Sequence, residues 1–157
     1  MVSNLMIHVL GFGNILHGND GFAARVLEKI VEKQSQNPRL NVHFAGTAGL
    51  NAMSLFDDCQ QVLVVDVIHH TVAKRVAKAG LAWYSVEEVI ALDHGANDHG
   101  QGLAYLFKAL KAVSDPLPAI RCLLCASEMP QAYCLTLSDA VQQQVDQAVE
   151  LICQEVG

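Results

Sequence analysis

Two aspartates follow apolar runs of the sequence, a position at which a carboxylate is a candidate for catalysis or metal binding. Asp66 directly follows the run 62–65, and Asp20 closes a Gly-rich turn that follows the run 6–11. A carboxylate in an apolar strand must be hydrogen-bonded, paired or bound to a cation, because its desolvation is costly. Asp66 is therefore a candidate functional residue, with a structural hydrogen bond to a neighbouring turn as the alternative. Asp20 is a second candidate, although a helix N-cap would also explain it.

A polar segment at 93–100 supplies the third kind of side chain. It reads Asp-His-Gly-Ala-Asn-Asp-His-Gly, so that Asp-His-Gly occurs twice. Its histidines could be metal ligands, acid–base groups or solvated side chains, and the spacing does not choose between His94 and His99. Together with the two aspartates they could converge on one cation from three strand ends. Such mixed oxygen and nitrogen ligands suit nickel, zinc or manganese.

The elements that must position these residues follow from hydrophobic periodicity. Helical patterns cover 21–32, 103–113 and 138–156, another helix is expected to open at 46–49, and His69 and His70 fall on a loop. Strands are predicted at 6–11, 42–45, 61–68, 80–84 and 120–126. This alternation predicts a single α/β domain over 1–157, with three layers: a mainly parallel twisted sheet of about five strands and helices on both faces. Ligands bind outside the carboxyl ends of such strands.

Composition and motifs exclude several classes of protein. The net charge of −6 and the lack of a basic run argue against a nucleic-acid-binding protein. No apolar run approaches the roughly 20 residues needed to span a membrane. An odd number of cysteines predicts reduced thiols and a cytoplasmic protein. Cys122 and Cys125 would point to opposite faces of one strand, as core residues rather than a zinc or redox pair.

Other catalytic and cofactor motifs receive little support. The turn Gly11-Phe12-Gly13 lacks the third glycine of a dinucleotide fingerprint, since Leu16 occupies that position, and no P-loop is present. A nucleotide-binding protein is therefore a lesser alternative. The chain also lacks the Gly-x-Ser-x-Gly elbow of serine hydrolases and the His-Glu-x-x-His helix of zincins.

Several segments, in the same order along the chain, resemble the nickel-iron hydrogenase maturation proteases. The most specific likeness is to the N-terminal signature of that family. The matching segments are Leu10-Gly11-Phe12-Gly13-Asn14-Ile15-Leu16, Asn19-Asp20-Gly21-Phe22, Gly46-Thr47-Ala48-Gly49-Leu50, Val64-Val65-Asp66, His99-Gly100-Gln101-Gly102-Leu103 and Leu135-Thr136-Leu137-Ser138.

The resemblance implies an endopeptidase that removes the C-terminal extension of a hydrogenase large-subunit precursor after nickel insertion. The family's metal-contacting positions fall on Asp20, Asp66 and His99, which favours His99 over His94. The nickel would be carried by the substrate, with no organic cofactor, and Gly46 and Thr47 would contact the substrate. The family also implies a monomer. A nickel-polarised carbonyl or a carboxylate-activated water could each lead to cleavage.

One departure from the family pattern concerns specificity. Many members carry an aspartate two residues before the Gly-Thr pair, where this chain has Phe44. The protein would then serve a different large subunit or be impaired in cleavage. The alternative function is a non-catalytic protein that binds the nickel-loaded subunit and holds it without cutting.

Overall fold

The computed structural model describes residues 6–92, 102–128 and 133–157. Five strands form one sheet: β1 Ile7–Phe12, β2 Leu40–Gly46, β3 Gln61–His69, β4 Leu81–Tyr84 and β5 Ala119–Ser127. The α-helices are α1 Phe22–Lys33, α2 His70–Lys74, α3 Val86–Ala91, α4 Leu103–Val113 and α5 Asp139–Val156. Two 3₁₀ helices cover Gly18–Gly21 and Gly49–Phe56.

The strand order in the sheet is β2-β1-β3-β5-β4. The pairs β1–β2, β1–β3 and β3–β5 are parallel, whereas β4 pairs with β5 in the antiparallel direction. One apolar cluster joins the sheet to α1 and α5, and a second joins its other face to α3, α4 and the 3₁₀ helix Gly49–Phe56. The predicted α/β fold with a mainly parallel sheet is confirmed.

Burial on both faces of the sheet explains why its central strands are continuous apolar runs in the sequence. Residues 62–65 of β3 are fully buried and alternate between the two clusters, because a central parallel strand is covered on both faces. Cys122 packs in one cluster and Cys125 in the other, and both thiols are free. The prediction that these cysteines are core residues on opposite faces is confirmed.

The direction of β4 corrects one expectation about the histidine segment. In the β4–β5 ladder, Leu81 lies opposite Cys125 and Tyr84 opposite Cys122, so β4 ends away from the carboxyl edge of β5. Helix α3 then follows, begun by a capping box between Ser85 and Glu88. The residues 93–101 therefore follow a helix rather than a strand end.

Two other local expectations are corrected. His69 ends β3 and caps α2, which begins at His70, so neither residue lies on a loop. The helix expected to open at 46–49 is a 3₁₀ helix that begins at Gly49. Helix α5 starts beside Ser138, whose hydroxyl accepts a hydrogen bond from the Val141 N–H at 3.4 Å.

Among the described residues, no helix is long and apolar enough to cross a membrane.

Candidate active site

A cavity of about 220 Å³ opens at the carboxyl edge of the sheet. It brings together four of the residues predicted from the sequence, Asp20, Asp66, Gly46 and Thr47. The remaining lining residues are Phe12, Gly13, Gly49, Val67, Gly102, Leu103 and Leu106. The lining thus combines the turn after β1, the end of β2, the last part of β3 and the start of α4.

Asp20 is held with its carboxylate turned back toward the Gly-rich turn. It lies in the 3₁₀ helix Gly18–Gly21, and its Oδ2 accepts a hydrogen bond from the Asn14 N–H at 2.8 Å. The N-cap of α1 is Gly21, which makes no side-chain cap. The interpretation of Asp20 as a helix N-cap is therefore wrong, and the aspartate closes the turn instead.

Gly13 permits the close approach on which this turn depends. Its φ is +135°, and a Cβ built on it would lie 2.0 Å from the Asp20 carbonyl oxygen. Its N–H donates to the Gly46 carbonyl at 3.0 Å, which ties the turn after β1 to the end of β2. Any side chain at position 13 would clash with the Asp20 backbone, so the turn after β1 would have to open.

The cavity strongly changes the pKa of Asp66. Burial raises the pKa of its carboxyl well above the usual range, the neighbouring Asp20 charge raises it further, and a hydrogen bond from the Val67 N–H, 2.7 Å from Oδ1, opposes the shift. No described residue that lines the cavity carries a positive charge. Two carboxylates therefore face one small cavity whose described lining carries no cationic side chain, an arrangement whose chemistry suits a cation.

The thiol groups offer no alternative nucleophile in this cavity. Cys122 is fully buried, and burial together with the Asp66 charge raises its pKa, so the thiol stays protonated. The Cys134 thiol has its pKa lowered by hydrogen bonds to Thr136, but Cys134 does not line the cavity. Cysteine chemistry is therefore not supported by the described residues.

His99 and His94 lie outside the described residues. The described chain resumes at Gly102, which lines the cavity and is the N-cap of α4. Within the described ranges, this cavity included, no group of three or more His, Cys, Asp or Glu side chains could hold a metal ion. The assignment of His99 as a third ligand stays a prediction.

Comparison with known proteins decides the family. The family model for hydrogenase maturation proteases matches residues 24–155. A Methanocaldococcus jannaschii protein described as a hydrogenase maturation protease is 31% identical over 153 residues, which cover 96% of each chain. This chain belongs to the hydrogenase maturation protease family. It is accordingly a peptide hydrolase, and the resemblance noted in the sequence is confirmed.

Solved structures of maturation proteases share the fold of this one. The Escherichia coli endopeptidase HybD has a TM-score of 0.77 at 21% identity, covering 97% of this chain and 92% of its own. HybD of Thermococcus kodakarensis has a TM-score of 0.74, also at 21% identity, covering 98% and 100%. The α/β architecture is thus the one found in these maturation proteases.

In this maturation protease the Gly-rich turn is also held by hydrogen bonds from residues 134–138, which the sequence did not predict. The Cys134 N–H donates to the Leu16 carbonyl at 2.9 Å, and the Gly18 N–H donates to the Cys134 carbonyl at 2.7 Å. The Ser138 N–H donates to Asn19 Oδ1 at 2.7 Å. These contacts join residues more than one hundred positions apart, so no local pattern could have predicted them. They fix the segment that carries Asp20.

Proposed function

We propose that this maturation protease removes the C-terminal extension of a nickel-iron hydrogenase large-subunit precursor once nickel has been inserted. The observation that carries the proposal is the pair of carboxylates, Asp20 and Asp66, in one cavity without a cationic side chain among its described lining. A metal ion presented by the substrate would neutralise both charges. Membership of the family supports the reaction class, and the cavity supports the dependence on a metal.

In this proposal the carboxylates distinguish a loaded precursor from an unloaded one. The raised pKa of Asp66 records the free energy lost when its charge is buried beside Asp20. A precursor that brings nickel recovers this energy on binding, and an empty precursor does not. Asp20 and Asp66 therefore act as sensors of nickel that belongs to the substrate, with His99 as the third contact implied by the family resemblance.

Hydrolysis then requires only water and a positioned peptide bond. Water adds across the scissile C–N bond, its oxygen to the carbonyl carbon and a proton to the leaving nitrogen. A carboxylate of the cavity that does not contact the nickel can accept a proton from that water. Polarisation of the carbonyl by the substrate's nickel is the other route. Gly46 and Thr47, which line the same cavity, would contact the substrate.

The test is incubation of the protein with nickel-loaded precursor, followed by intact mass measurement. We expect the precursor to shorten at its C-terminus and the nickel-free precursor to keep its mass. Asp20→Asn and Asp66→Asn should each slow processing by at least about 100-fold, whereas the exposed Asp57→Asn should process like the wild type. An unchanged mass for the loaded precursor would overturn the proposal.

Phe44 is the residue that favours the alternative function, a protein that binds the precursor without cutting it. It lies exposed near the end of β2, at the position where the family resemblance implies an aspartate in many members. Capture of the loaded precursor without any shortening would identify the protein as a binding member that holds its partner uncut. Cleavage at a normal rate would instead make Phe44 a matter of specificity.

We also propose that the protein works as a monomer in the cytoplasm. The five cysteines are free, and the buried pair Cys122 and Cys125 cannot bond to each other across the sheet. Free thiols suit a reducing compartment. Light scattering of the purified protein would reveal its oligomeric state, and cell fractionation would reveal its compartment.

A further inference from the structure

The outer edge of β2 has no strand partner among the described residues. β2 stands last in the strand order and pairs only with β1. The Ile7 N–H donates to the Arg39 carbonyl at 2.8 Å, which sets the phase of the ladder. Because backbone groups alternate in direction along a parallel strand, Asn41 and His43 turn theirs toward β1. Val42 and Phe44 therefore turn their N–H and C=O groups outward.

Two features that usually prevent strand addition, charged residues and prolines, do not occur along this edge. Residues 40–46 read Leu-Asn-Val-His-Phe-Ala-Gly, without a charged residue or a proline. The opposite edge of the sheet is protected, because β4 has only four residues and the Lys78 ammonium donates to the Trp83 carbonyl. The two edges of the sheet therefore differ: within residues 6–92, 102–128 and 133–157, the β2 edge is the one whose ladder is left free.

The open edge leads directly to the cavity. β2 runs parallel to β1 and ends at Gly46, which lines the cavity with Asp20 and Asp66. The register shifts at this point, since Gly11 pairs with Phe44 and Phe12 with Gly46, which leaves Ala45 as a bulge. At about 3.3 Å per residue, a chain paired with Val42 would reach the cavity within roughly four residues.

The side chain of Phe44 lies where it could contact a side chain of a strand added to the β2 edge. It is 43% exposed, and its ring lies 3.5 Å from the Cβ position of Gly46. An exposed aromatic ring beside a cavity favours an apolar residue in the bound segment. The surrounding strand is uncharged, so a strongly charged segment would gain nothing there.

From these observations we infer that the outer edge of β2 binds the segment of the precursor next to the scissile bond as an added β-strand. The backbone groups of Val42 and Phe44 form the ladder, and the Phe44 ring contacts an apolar residue of that segment. Backbone pairing of this kind gives affinity while side-chain contacts give specificity. The inference rests on the proposed function, since it names how that substrate is held.

A substitution at Val42 tests the ladder. Val42→Pro removes an outward N–H and leaves the β1 pairing intact. We expect it to raise the precursor concentration at half-maximal processing by about tenfold, the effect of one ordinary hydrogen bond. The exposed Asp57→Asn, outside both the ladder and the cavity lining, should stay within about twofold of the wild type. Equal processing by Val42→Pro and Asp57→Asn would overturn the inference.

Amide exchange provides a second readout that does not depend on Val42→Pro folding. In the free wild-type protein the Val42 and Phe44 amides should exchange rapidly, and the nickel-loaded precursor should slow them by at least about tenfold. Unchanged exchange in a complex that forms would overturn the inference. A wild-type protein that leaves the loaded precursor uncut contradicts the proposed function instead, so the two failures can be told apart.

Discussion

Asp66 carries an energetic cost that should be measurable without any substrate. Its pKa is raised in the folded state, so between the ordinary value of about 3.9 and the raised one the unfolded chain holds the charge more readily. The free energy of unfolding therefore falls as the pH rises through this window. Below the ordinary pKa both states are protonated and the cost disappears.

We predict that Asp66→Asn stabilises the free protein at neutral pH. The amide carries no charge and can still accept the hydrogen bond from the Val67 N–H. The melting temperature at pH 7 should rise by a few degrees, since each kcal/mol shifts it by about 2–4 °C in a chain of this size. Thermal unfolding at pH 7 and near pH 3.5 tests this, because the gain should vanish at the lower pH. A melting temperature equal to that of the wild type at both pH values would contradict it.

Gly13 should be the least replaceable glycine of the site. In Gly13→Ala the new Cβ would meet the Asp20 carbonyl oxygen at 2.0 Å, so the turn must open. We expect a loss of at least about 2 kcal/mol in the free energy of unfolding, together with loss of processing. Gly80→Ala is the matched control, because Gly80 also has a positive φ but no atom within 4 Å. Similar losses in urea denaturation of the two variants would mean that the clash is unimportant.

The two aspartates also show what can be inferred about a site from sequence. Asp66 could be singled out because a charge within an apolar strand needs a compensating partner. The role of Asp20 could not be decided, because helix capping and turn closure place an aspartate at the same position. The structure distinguishes the two roles, because the Asp20 carboxylate accepts a hydrogen bond from the Asn14 N–H and so closes the turn over Gly13.

Among the elements, strand β4 was predicted at 80–84 but its direction was not, and helix α3 was not predicted. A four-residue strand carries no signal of direction, and its antiparallel pairing is decided by β5 alone. Helix α3 is six residues long, too short for a clear hydrophobic period. Its start could have been recognised from Ser85 and Glu88, since a serine followed three residues later by a glutamate is typical of a capping box.

The capping box makes α3 sensitive to one hydroxyl group. The Ser85 Oγ accepts from the Glu88 N–H at 3.0 Å, and the Glu88 carboxylate accepts from the Ser85 N–H at 3.0 Å. Ser85→Ala should lower the free energy of unfolding by about 1 kcal/mol. Ser35→Ala, at an exposed position after α1, should leave it unchanged within about 0.5 kcal/mol. Urea denaturation compares them, and equal stabilities would show that the cap contributes little.

At the scale of the whole molecule, one edge of the sheet collects residues that are far apart in the chain. The turn after β1, the end of β2, residues 66–67 and the start of α4 line one cavity. This convergence could be predicted, because parallel strands end at a common edge. The contacts between the Gly-rich turn and the segment 134–138 could not, because nothing in either stretch indicates the other.

The link between the two ends of the chain should matter for function as well as stability. Asn19→Ala removes the acceptor for the Ser138 N–H and so loosens α5 from the segment that carries Asp20. We expect slower processing, whereas Asn19→Asp keeps an oxygen acceptor at a helix N-terminus and should process normally. Rates measured with nickel-loaded precursor compare the two variants. Normal processing by Asn19→Ala would show that Asp20 needs no support from α5.

The open edge of β2 also bears on how the purified protein behaves in storage. An uncharged strand that is ready to accept a precursor is equally ready to accept the same strand of another molecule. Concentrated samples kept without substrate should therefore aggregate slowly through this edge. Residues 40–46 contain no charged side chain that would oppose such pairing between molecules.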